Sequence, residues 1–235
     1  MATLFAVGVG PGDPELVTRK AERILRSADV VLAPVSNPAE TSVALATVRE
    51  FIDEGRQEIV VHQFPMTSDK SRLMSAWQEA VGLIAGWIAA GRDVAFITIG
   101  DPLFYSTFIY LLRIFREDYP QIPVEIVPGI SSINASAAQA GIALAEADGK
   151  VAIVPATAGL EHVAQALATY ETVVLLKVKP LFRDILELLR QTERAGSTLF
   201  VERVGSARQK VLTDFSEIAA HSPDYLSLMI IRSAA

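Results

Sequence analysis

Short apolar runs alternate along this chain with longer segments in which apolar residues recur every three or four positions. The runs are typical of buried strands, and the longer segments of amphipathic helices. Ten strands are predicted, at 4–9, 29–33, 58–62, 93–99, 124–127, 151–154, 172–177, 198–202, 210–212 and 226–231. Helices are predicted between them, at 16–28, 69–90, 105–116, 131–140, 161–168 and 181–191. This alternation predicts an α/β protein of two lobes, 1–122 and 123–235, each with a mixed or mostly parallel sheet of about five strands.

Two glycine-rich turns each follow a predicted strand and lead into a helical pattern. The first runs from Gly8 to Asp13, and the second is Gly100-Asp-Pro102. Turns of this kind leave backbone amides available to a ligand at the start of a helix. In the first turn, Asp13 is placed to cap a helix that has Pro14 at its first position. The two turns together predict that the chain binds a small molecule.

Two familiar glycine motifs do not match these turns. A dinucleotide-binding fold requires the spacing G-x-G-x-x-G and an acidic residue at the end of the second strand. Here the spacing is G-x-G-x-G, with Pro11 in the turn, and the second strand ends in Leu-Ala-Pro34. A P-loop requires Gly-Lys followed by Ser or Thr, a sequence that this chain lacks. Neither a nicotinamide dehydrogenase nor a P-loop kinase is predicted.

Composition narrows the class of protein further. The 235 residues include 51% hydrophobic residues and no cysteine, and the formal net charge is −6 with a pI near 5.2. Without a run of Lys or Arg, nucleic acid is an unfavourable partner. The apolar runs are shorter than the ~20 residues of a membrane span, and the first residues lack the basic start of a signal peptide. We therefore expect a cytoplasmic protein that uses no membrane, no disulfide and, because its three histidines are scattered, no metal of its own.

Three segments identify a family. They are Gly8-Val-Gly-Pro-Gly-Asp-Pro-Glu-Leu-Val-Thr18, Ile99-Gly-Asp-Pro-Leu-Phe-Tyr-Ser-Thr107 and Val127-Pro-Gly-Ile-Ser-Ser132. In order and spacing they resemble the tetrapyrrole methylases, which are class III S-adenosylmethionine-dependent methyltransferases, and the resemblance runs nearly from end to end. It implies two α/β lobes with the cofactor in the cleft between them, and a homodimer.

Softer motifs indicate which ring carbon is methylated. They are Met66-Thr-Ser-Asp69, the Tyr-Ser-Thr107 that follows Gly-Asp-Pro, Ala145-Glu-Ala-Asp148, Leu176-Lys-Val178 and Val201-Glu-Arg-Val-Gly205. They resemble the segments of the methylases that act at C20 of precorrin-2. The implied reaction is methylation of precorrin-2, or of its cobalt complex, during synthesis of the corrin ring of cobalamin. Any cobalt would arrive with the substrate, and the sequence does not distinguish the two substrates.

The family motifs also imply residues that bind S-adenosylmethionine. Carried over position by position, they are Pro11, Ile99, Gly100, Asp101, Phe104, Ser131, Ser132, Lys177, Val204 and Gly205. Lys177 stands where many relatives of other specificity have Met. The chemistry of Asp101 allows two interpretations. It either accepts hydrogen bonds from the ribose hydroxyls or the ammonium group of the cofactor, or it is the N-cap of the next helix. It is also the candidate acceptor for the proton that leaves after transfer. Ser131 and Ser132 either bind a carboxylate near a helix N-terminus or cap that helix.

A polycarboxylate substrate requires local positive charge on a protein that is acidic overall. The candidate cations in or near the motifs are Arg72, Lys177, Lys179 and Arg203. Tyr105, Phe108 and Tyr110 are candidates for an apolar wall against the macrocycle, although aromatic residues on a helix commonly belong to the core.

Three alternatives to C20 methylation remain. One is a tetrapyrrole methylase that acts at another ring carbon, and a second is a relative that modifies a protein or RNA, the latter disfavoured by the low pI. The third belongs to another class: a protein without catalytic activity that senses S-adenosylmethionine or a tetrapyrrole. Such a sensor would bind the cofactor without turning over any macrocycle.

Overall fold

The computed structural model describes residues 1–37, 39 and 41–233. The chain divides into two compact units, with the division between Ser131 and Ser132. This boundary lies after the predicted one at 122/123. The reason is that the strand at Val124–Val127 pairs in parallel with the first strand of the chain and therefore belongs to the first unit.

The first unit is a parallel sheet with helices on both faces. Its strands are β1 Leu4–Gly8, β2 Val30–Val35, β3 Glu58–Gln63, β4 Val94–Thr98 and β5 Val124–Val127. Its helices are α1 Arg19–Ser27, α2 Val43–Val48, α3 Lys70–Ala89 and α4 Phe108–Asp118, and 3-10 turns lie at Pro14–Leu16 and Arg49–Phe51. The strand order is β3-β2-β4-β1-β5, with every pairing parallel.

The central strands of the first unit are apolar along their length because both faces of the sheet are covered. Successive side chains of a strand point to opposite faces. Leu4 and Phe96 accordingly join one core with α3 and α4, whereas Val7 and Ile97 join another with α1 and α2. Packing against the two helical layers thereby fixes how β1 and β4 are rotated about their own axes. It also fixes the direction in which the loops leave these strands.

The chain changes direction across the sheet at the neighbouring strands β1 and β4. It leaves β1 towards β2 on one side of the sheet and leaves β4 towards β5 on the other side. In open α/β sheets, a ligand commonly binds outside the carboxyl ends of the strands at such a change of direction. The two predicted glycine turns, at Gly8 to Asp13 and at Gly100 to Pro102, follow these two strands.

The second unit is a mixed sheet. Its strands are β6 Val151–Pro155, β7 Thr172–Leu176, β8 Thr198–Glu202, β9 Lys210–Leu212 and β10 Ser227–Arg232. Its helices are α5 Ser132–Ala140, α6 Leu160–Thr169, α7 Phe182–Gln191 and α8 Phe215–Ala220, and 3-10 turns lie at Ala156–Ala158, Lys179–Leu181 and Ala195–Ser197. The order is β6-β7-β10-β8-β9, with only β6 and β7 parallel to each other. Phe182, Phe200 and Met229 are among the buried residues of its core.

Two predicted helix starts are wrong. Asp13 caps only the short 3-10 turn, through the amide of Glu15, and α1 begins later with Thr18 as its N-cap. Likewise α4 begins at Phe108 rather than Tyr105. Tyr105 has φ +54°, a left-handed conformation that interrupts a right-handed helix.

Within the described ranges 1–37, 39 and 41–233, no helix combines the length and the hydropathy that a membrane span requires.

Candidate functional site

Three glycines bring the carboxyl ends of β1, β4 and β5 together, and we call them the glycine junction: Gly8, Gly100 and Gly129. A Cβ atom on Gly8 would lie 2.6 Å from the carbonyl oxygen of Gly100 and 2.6 Å from the amide nitrogen of Gly129. A Cβ atom on Gly129 would lie 1.9 Å from the same carbonyl oxygen. The loops can approach this closely only without side chains at Gly8 and Gly129.

The first two loops are joined directly by their main chains. The amide of Gly100 donates to the carbonyl of Gly10 at 2.7 Å, and the amide of Gly10 donates to the carbonyl of Gly100 at 3.4 Å. Both glycines have positive φ, +76° for Gly10 and +70° for Gly100. Among the described residues no atom would lie within 4 Å of a Cβ at Gly100, so the space beside this residue is open. A ligand can therefore reach the main chain at Gly100.

Asp101 joins the second loop to the third. Its Oδ1 accepts from the amide of Leu103 at 2.8 Å, and its Oδ2 accepts from the amide of Gly129 at 3.0 Å. The predicted N-cap role for the next helix is wrong, because the N-cap residue of α4 is Thr107. Both carboxylate oxygens thus hold main-chain atoms of the site in place.

A buried hydroxyl pair closes the base of the second loop. Thr98, at the end of β4, and Ser106 have their hydroxyl oxygens 3.0 Å apart, and the Ser106 oxygen accepts from the amide of Phe108. The segment from Ile99 to Tyr105 is therefore fixed at both ends. The sequence held the signal, Tyr-Ser-Thr107, but the pairing with Thr98 depends on the fold.

The remaining predicted cofactor residues of the first unit lie around these loops. Pro11 is buried and Ile99 is half-buried. Phe104 is 38% exposed and Tyr105 is 47% exposed, and their rings meet edge to face at 4.8 Å between centroids. Two large aromatic side chains this exposed form an apolar surface directly after the glycine turn.

A second aromatic pair lies on the neighbouring helices. Tyr110 of α4 stacks on Trp77 of α3, with 4.2 Å between ring centroids and 4° between ring planes, while 42% of Tyr110 stays exposed. Arg72, another substrate candidate, is exposed on α3. The third aromatic candidate, Phe108, is wrong as a wall residue, since it is fully buried in the core between α3, α4 and the sheet.

The second unit holds the other predicted site residues except Ser131, which is the last residue of the first unit. Ser132 is the first residue of α5. Lys177 follows β7 with φ +54°, and Lys179 is exposed at the start of a 3-10 turn. Val204 is buried, and Gly205 has φ +80°.

Arg203 is an ion-pair partner rather than an open cation. Its Nε donates to Asp224 Oδ2 at 2.8 Å, its Nη2 donates to the same oxygen at 2.5 Å, and 20% of its side chain is exposed. Burial alone would raise the pKa of Asp224, but hydrogen bonds from Arg203 and from the Leu226 amide outweigh burial, so that this pKa lies below its ordinary value. The predicted contact of Arg203 with substrate carboxylates is replaced by this contact with Asp224.

Across the described ranges, groups of three or more His, Cys, Asp or Glu side chains arranged to hold a metal ion do not occur. His62 Nε2 donates to the carbonyl of Ala76, and His221 contacts Glu202.

The chain is similar in sequence to known tetrapyrrole methylases. The family model described as Tetrapyrrole (Corrin/Porphyrin) Methylases matches residues 3–219. Cobalt-precorrin-2 C(20)-methyltransferase of Salmonella typhimurium is 38% identical over 188 residues, 80% of this chain and 78% of that protein. The probable cobalt-precorrin-2 C(20)-methyltransferase of Methanocaldococcus jannaschii is 35% identical over 230 residues, 97% of this chain and 95% of that protein.

A solved structure has the same fold. It is the uroporphyrin-III C-methyl transferase of Thermus thermophilus complexed with S-adenosyl homocysteine, which superposes with a TM-score of 0.68 at 23% identity. The match covers 99% of this chain and 98% of the Thermus chain. The predicted fold class, two α/β lobes with five-stranded sheets, is confirmed, the first sheet being parallel and the second mixed.

Proposed function

The chain belongs to the tetrapyrrole methylases, and on that premise we propose that it transfers a methyl group from S-adenosylmethionine to C20 of precorrin-2 or cobalt-precorrin-2 in cobalamin biosynthesis. Two relatives that carry the cobalt-precorrin-2 C(20)-methyltransferase name support the position of methylation. One of them aligns over 97% of this chain and 95% of its own length.

The observation that carries the proposal is the glycine junction with the open space beside Gly100. S-Adenosylmethionine has an adenine, a ribose and a zwitterionic amino-acid end, all of which suit main-chain donors and acceptors. Close-packed glycine loops present such groups without side chains in the way. The residues present fit the cofactor, and Pro11, Ile99, Gly100, Asp101 and Phe104 are its proposed contacts on the first unit.

The second unit contributes further proposed cofactor contacts. These are Ser132 at the start of α5, Lys177 after β7, and Val204 with Gly205 after β8, together with Ser131 at the end of the first unit. Ser131 and Ser132 are proposed to bind the carboxylate of the amino-acid end, favoured by the N-terminus of α5.

When bound, S-adenosylmethionine supplies a sulfonium methyl group, which moves to C20 with release of S-adenosylhomocysteine and a proton. The protein's main task is alignment of carbon, methyl and sulfur, which is worth about 7–11 kcal/mol of the barrier. Because a sulfonium loses its charge as it reacts, an apolar wall formed by Phe104 and Tyr105 would favour transfer. Asp101 already accepts two main-chain amides, and we assign it to positioning the loops, with water as the proton acceptor.

The substrate is proposed to contact exposed cations and aromatic rings. Arg72 and Lys179 are exposed and suit the carboxylates of the macrocycle. Tyr105 and the Trp77–Tyr110 stack offer flat apolar surface for its face. Charge removal at Arg72 or Lys179 is expected to raise the KM for the tetrapyrrole and leave cofactor affinity unchanged.

The test is a methylation assay on two substrates. Purified protein is incubated without oxygen with S-adenosylmethionine and either precorrin-2 or cobalt-precorrin-2, and the product mass is recorded. One added methyl group is expected, and the ratio of the two kcat/KM values identifies the natural substrate. Binding of S-adenosylhomocysteine without transfer to either macrocycle would overturn the proposal and favour a sensor.

We also propose that the protein is a homodimer, as the family resemblance implies, and that it is cytoplasmic, as the absence of cysteine suggests. Light scattering after size-exclusion chromatography tests the dimer. A mass of 25.4 kDa would contradict it, since that is the mass of one chain.

A further inference from the structure

The segment from His221 to Asp224 contacts two successive residues at the end of β8, Glu202 and Arg203. The amide of Asp224 donates to Glu202 Oε2 at 2.6 Å, and its carboxylate accepts from Arg203. His221 adds a contact from its Nε2 to the same Glu202 oxygen at 3.1 Å. Glu202 is only 7% exposed. Asp224 therefore connects to Glu202 with its main chain and to Arg203 with its side chain.

The turn that follows β8 has an unfavourable backbone. Arg203 has φ +50° and Gly205 has φ +80°, with Val204 between them. The left-handed region is accessible to glycine but costly for arginine. A non-glycine residue holds this conformation only where its surroundings fix it.

Arg203 is fixed at three of its groups. Its amide donates to the carbonyl of Leu226 at 2.8 Å, its guanidinium donates to Asp224, and its carbonyl accepts from the hydroxyl of Ser206 at 2.8 Å. At the other end of the turn, the amide of Gly205 donates to Gln209 Oε1 at 2.8 Å. Val204 thus lies between two anchored residues.

We propose that Arg203 and Asp224 are positioning residues that hold the turn from Arg203 to Gly205 in the shape that binds the cofactor. The inference rests on the proposed function, in which Val204 and Gly205 contact S-adenosylmethionine. It replaces the expected role of Arg203 towards the substrate. A lysine at 203 keeps the charge but loses the planar group that places two donors on one carboxylate oxygen, so it does not replace arginine here.

The test compares Arg203→Lys, Asp224→Asn and the double variant with the wild type. Titration calorimetry with S-adenosylhomocysteine gives Kd, and steady-state assays give kcat and the KM for S-adenosylmethionine. Each single variant is expected to raise Kd and KM about tenfold, with kcat at saturating cofactor within about twofold. The double variant is expected to be no worse than either single variant, because both remove one interaction.

A matched control is Arg190→Lys in the same unit. Arg190 also pairs with a carboxylate, Glu187, but on the exposed face of α7, with 51% and 60% of the two side chains exposed. This variant is expected to leave Kd, KM and kcat unchanged. Gln209→Ala, which releases the other end of the turn without touching Arg203, is expected to raise Kd as well.

Three results would overturn the inference. They are an unchanged Kd in folded Arg203→Lys and Asp224→Asn, additive effects in the double variant, and a raised KM for the tetrapyrrole alone. Folding is checked by near-ultraviolet circular dichroism, and Gln209→Ala keeps the test available if the other variants unfold. Failure of the wild type to bind S-adenosylhomocysteine would instead contradict the proposed function, so the two failures are distinguishable.

Discussion

The carboxylate of Asp101 accepts a hydrogen bond from the main-chain amide of Gly129, 28 residues further along the chain. The same carboxylate also accepts from Leu103 within its own loop. Two loops that leave different strands are therefore held by one side chain. Removing the charge therefore has consequences that differ from the loss of a catalytic base.

Asp101→Asn is predicted to weaken cofactor binding and lower stability together. An asparagine side chain has only one acceptor oxygen, so one of the two main-chain amides would face the NH2 group, which is also a donor. This mismatch is expected to cost about 1–3 kcal/mol of the free energy of unfolding. Kd for S-adenosylhomocysteine and the melting temperature report the two effects.

Asp214→Asn is the matched control for Asp101→Asn, since Asp214 also accepts from two main-chain amides, at the start of α8. It is expected to leave Kd unchanged. For Asp101→Asn, a lower kcat with normal Kd and normal melting temperature would favour a base instead.

Gly129→Ala is predicted to prevent the loops from packing. The added Cβ would lie 1.9 Å from the carbonyl oxygen of Gly100, which belongs to the backbone and cannot rotate away as a side chain could. We expect a loss of about 3 kcal/mol or more in the free energy of unfolding, measured by urea denaturation. Gly86→Ala in α3, where a Cβ meets no described atom within 4 Å, is expected to stabilise by about 0.5–1 kcal/mol. Equal stability of the two variants would contradict the geometry of the junction.

Gly100→Ala is predicted to affect binding more than stability. Its Cβ meets no described atom within 4 Å, but φ is +70°, so the cost in the folded state is about 1–2 kcal/mol. The methyl group would occupy the open space beside Gly100, where we propose that the cofactor reaches the main chain, and Kd is expected to rise at least about tenfold. The control is Gly91→Ala, just after the end of α3, where a Cβ also meets no described atom within 4 Å and φ is +80°. This variant should lower the free energy of unfolding by a similar amount without changing Kd. Similar Kd values for the two variants would refute a site at Gly100.

Stability is predicted to depend on the ionisation of Asp224 in acid. Because the pKa of Asp224 is lower in the folded protein than in the unfolded chain, its contribution is present above about pH 3.9 and is lost as pH falls through the folded-state pKa. The difference in melting temperature between wild type and Asp224→Asn should be largest near neutral pH and shrink below about pH 4. A difference that does not change with pH would rule out the charged pair with Arg203.

The sequence was sufficient for the parts of the fold that depend on local pattern. The apolar runs at β1, β4 and β5 and the glycine turns after β1 and β4 were all located correctly, because buried parallel strands have a clear composition. The start of α4 was misplaced because the left-handed Tyr105 has no side-chain signature. Two short helices, α2 and α8, were not predicted, since six residues carry too little periodicity.

Contacts between distant residues explain what the sequence left open at the site. The motifs mark Gly8, Gly100 and Gly129 as important but do not reveal that the three meet. Arg203 looked like a substrate cation because Asp224, its partner, lies 21 residues away and belongs to no recognised motif. The role of a charged side chain depends on such a partner, which only the fold brings into contact with it.

The central claim is methylation at C20, and the position of the new methyl group tests it most directly. The reaction is run with S-adenosylmethionine that carries an isotope-labelled methyl group, and the product is examined by NMR. We predict one labelled methyl group, correlated with C20 of the macrocycle. A label at any other ring carbon would contradict the account while leaving the chain a tetrapyrrole methylase.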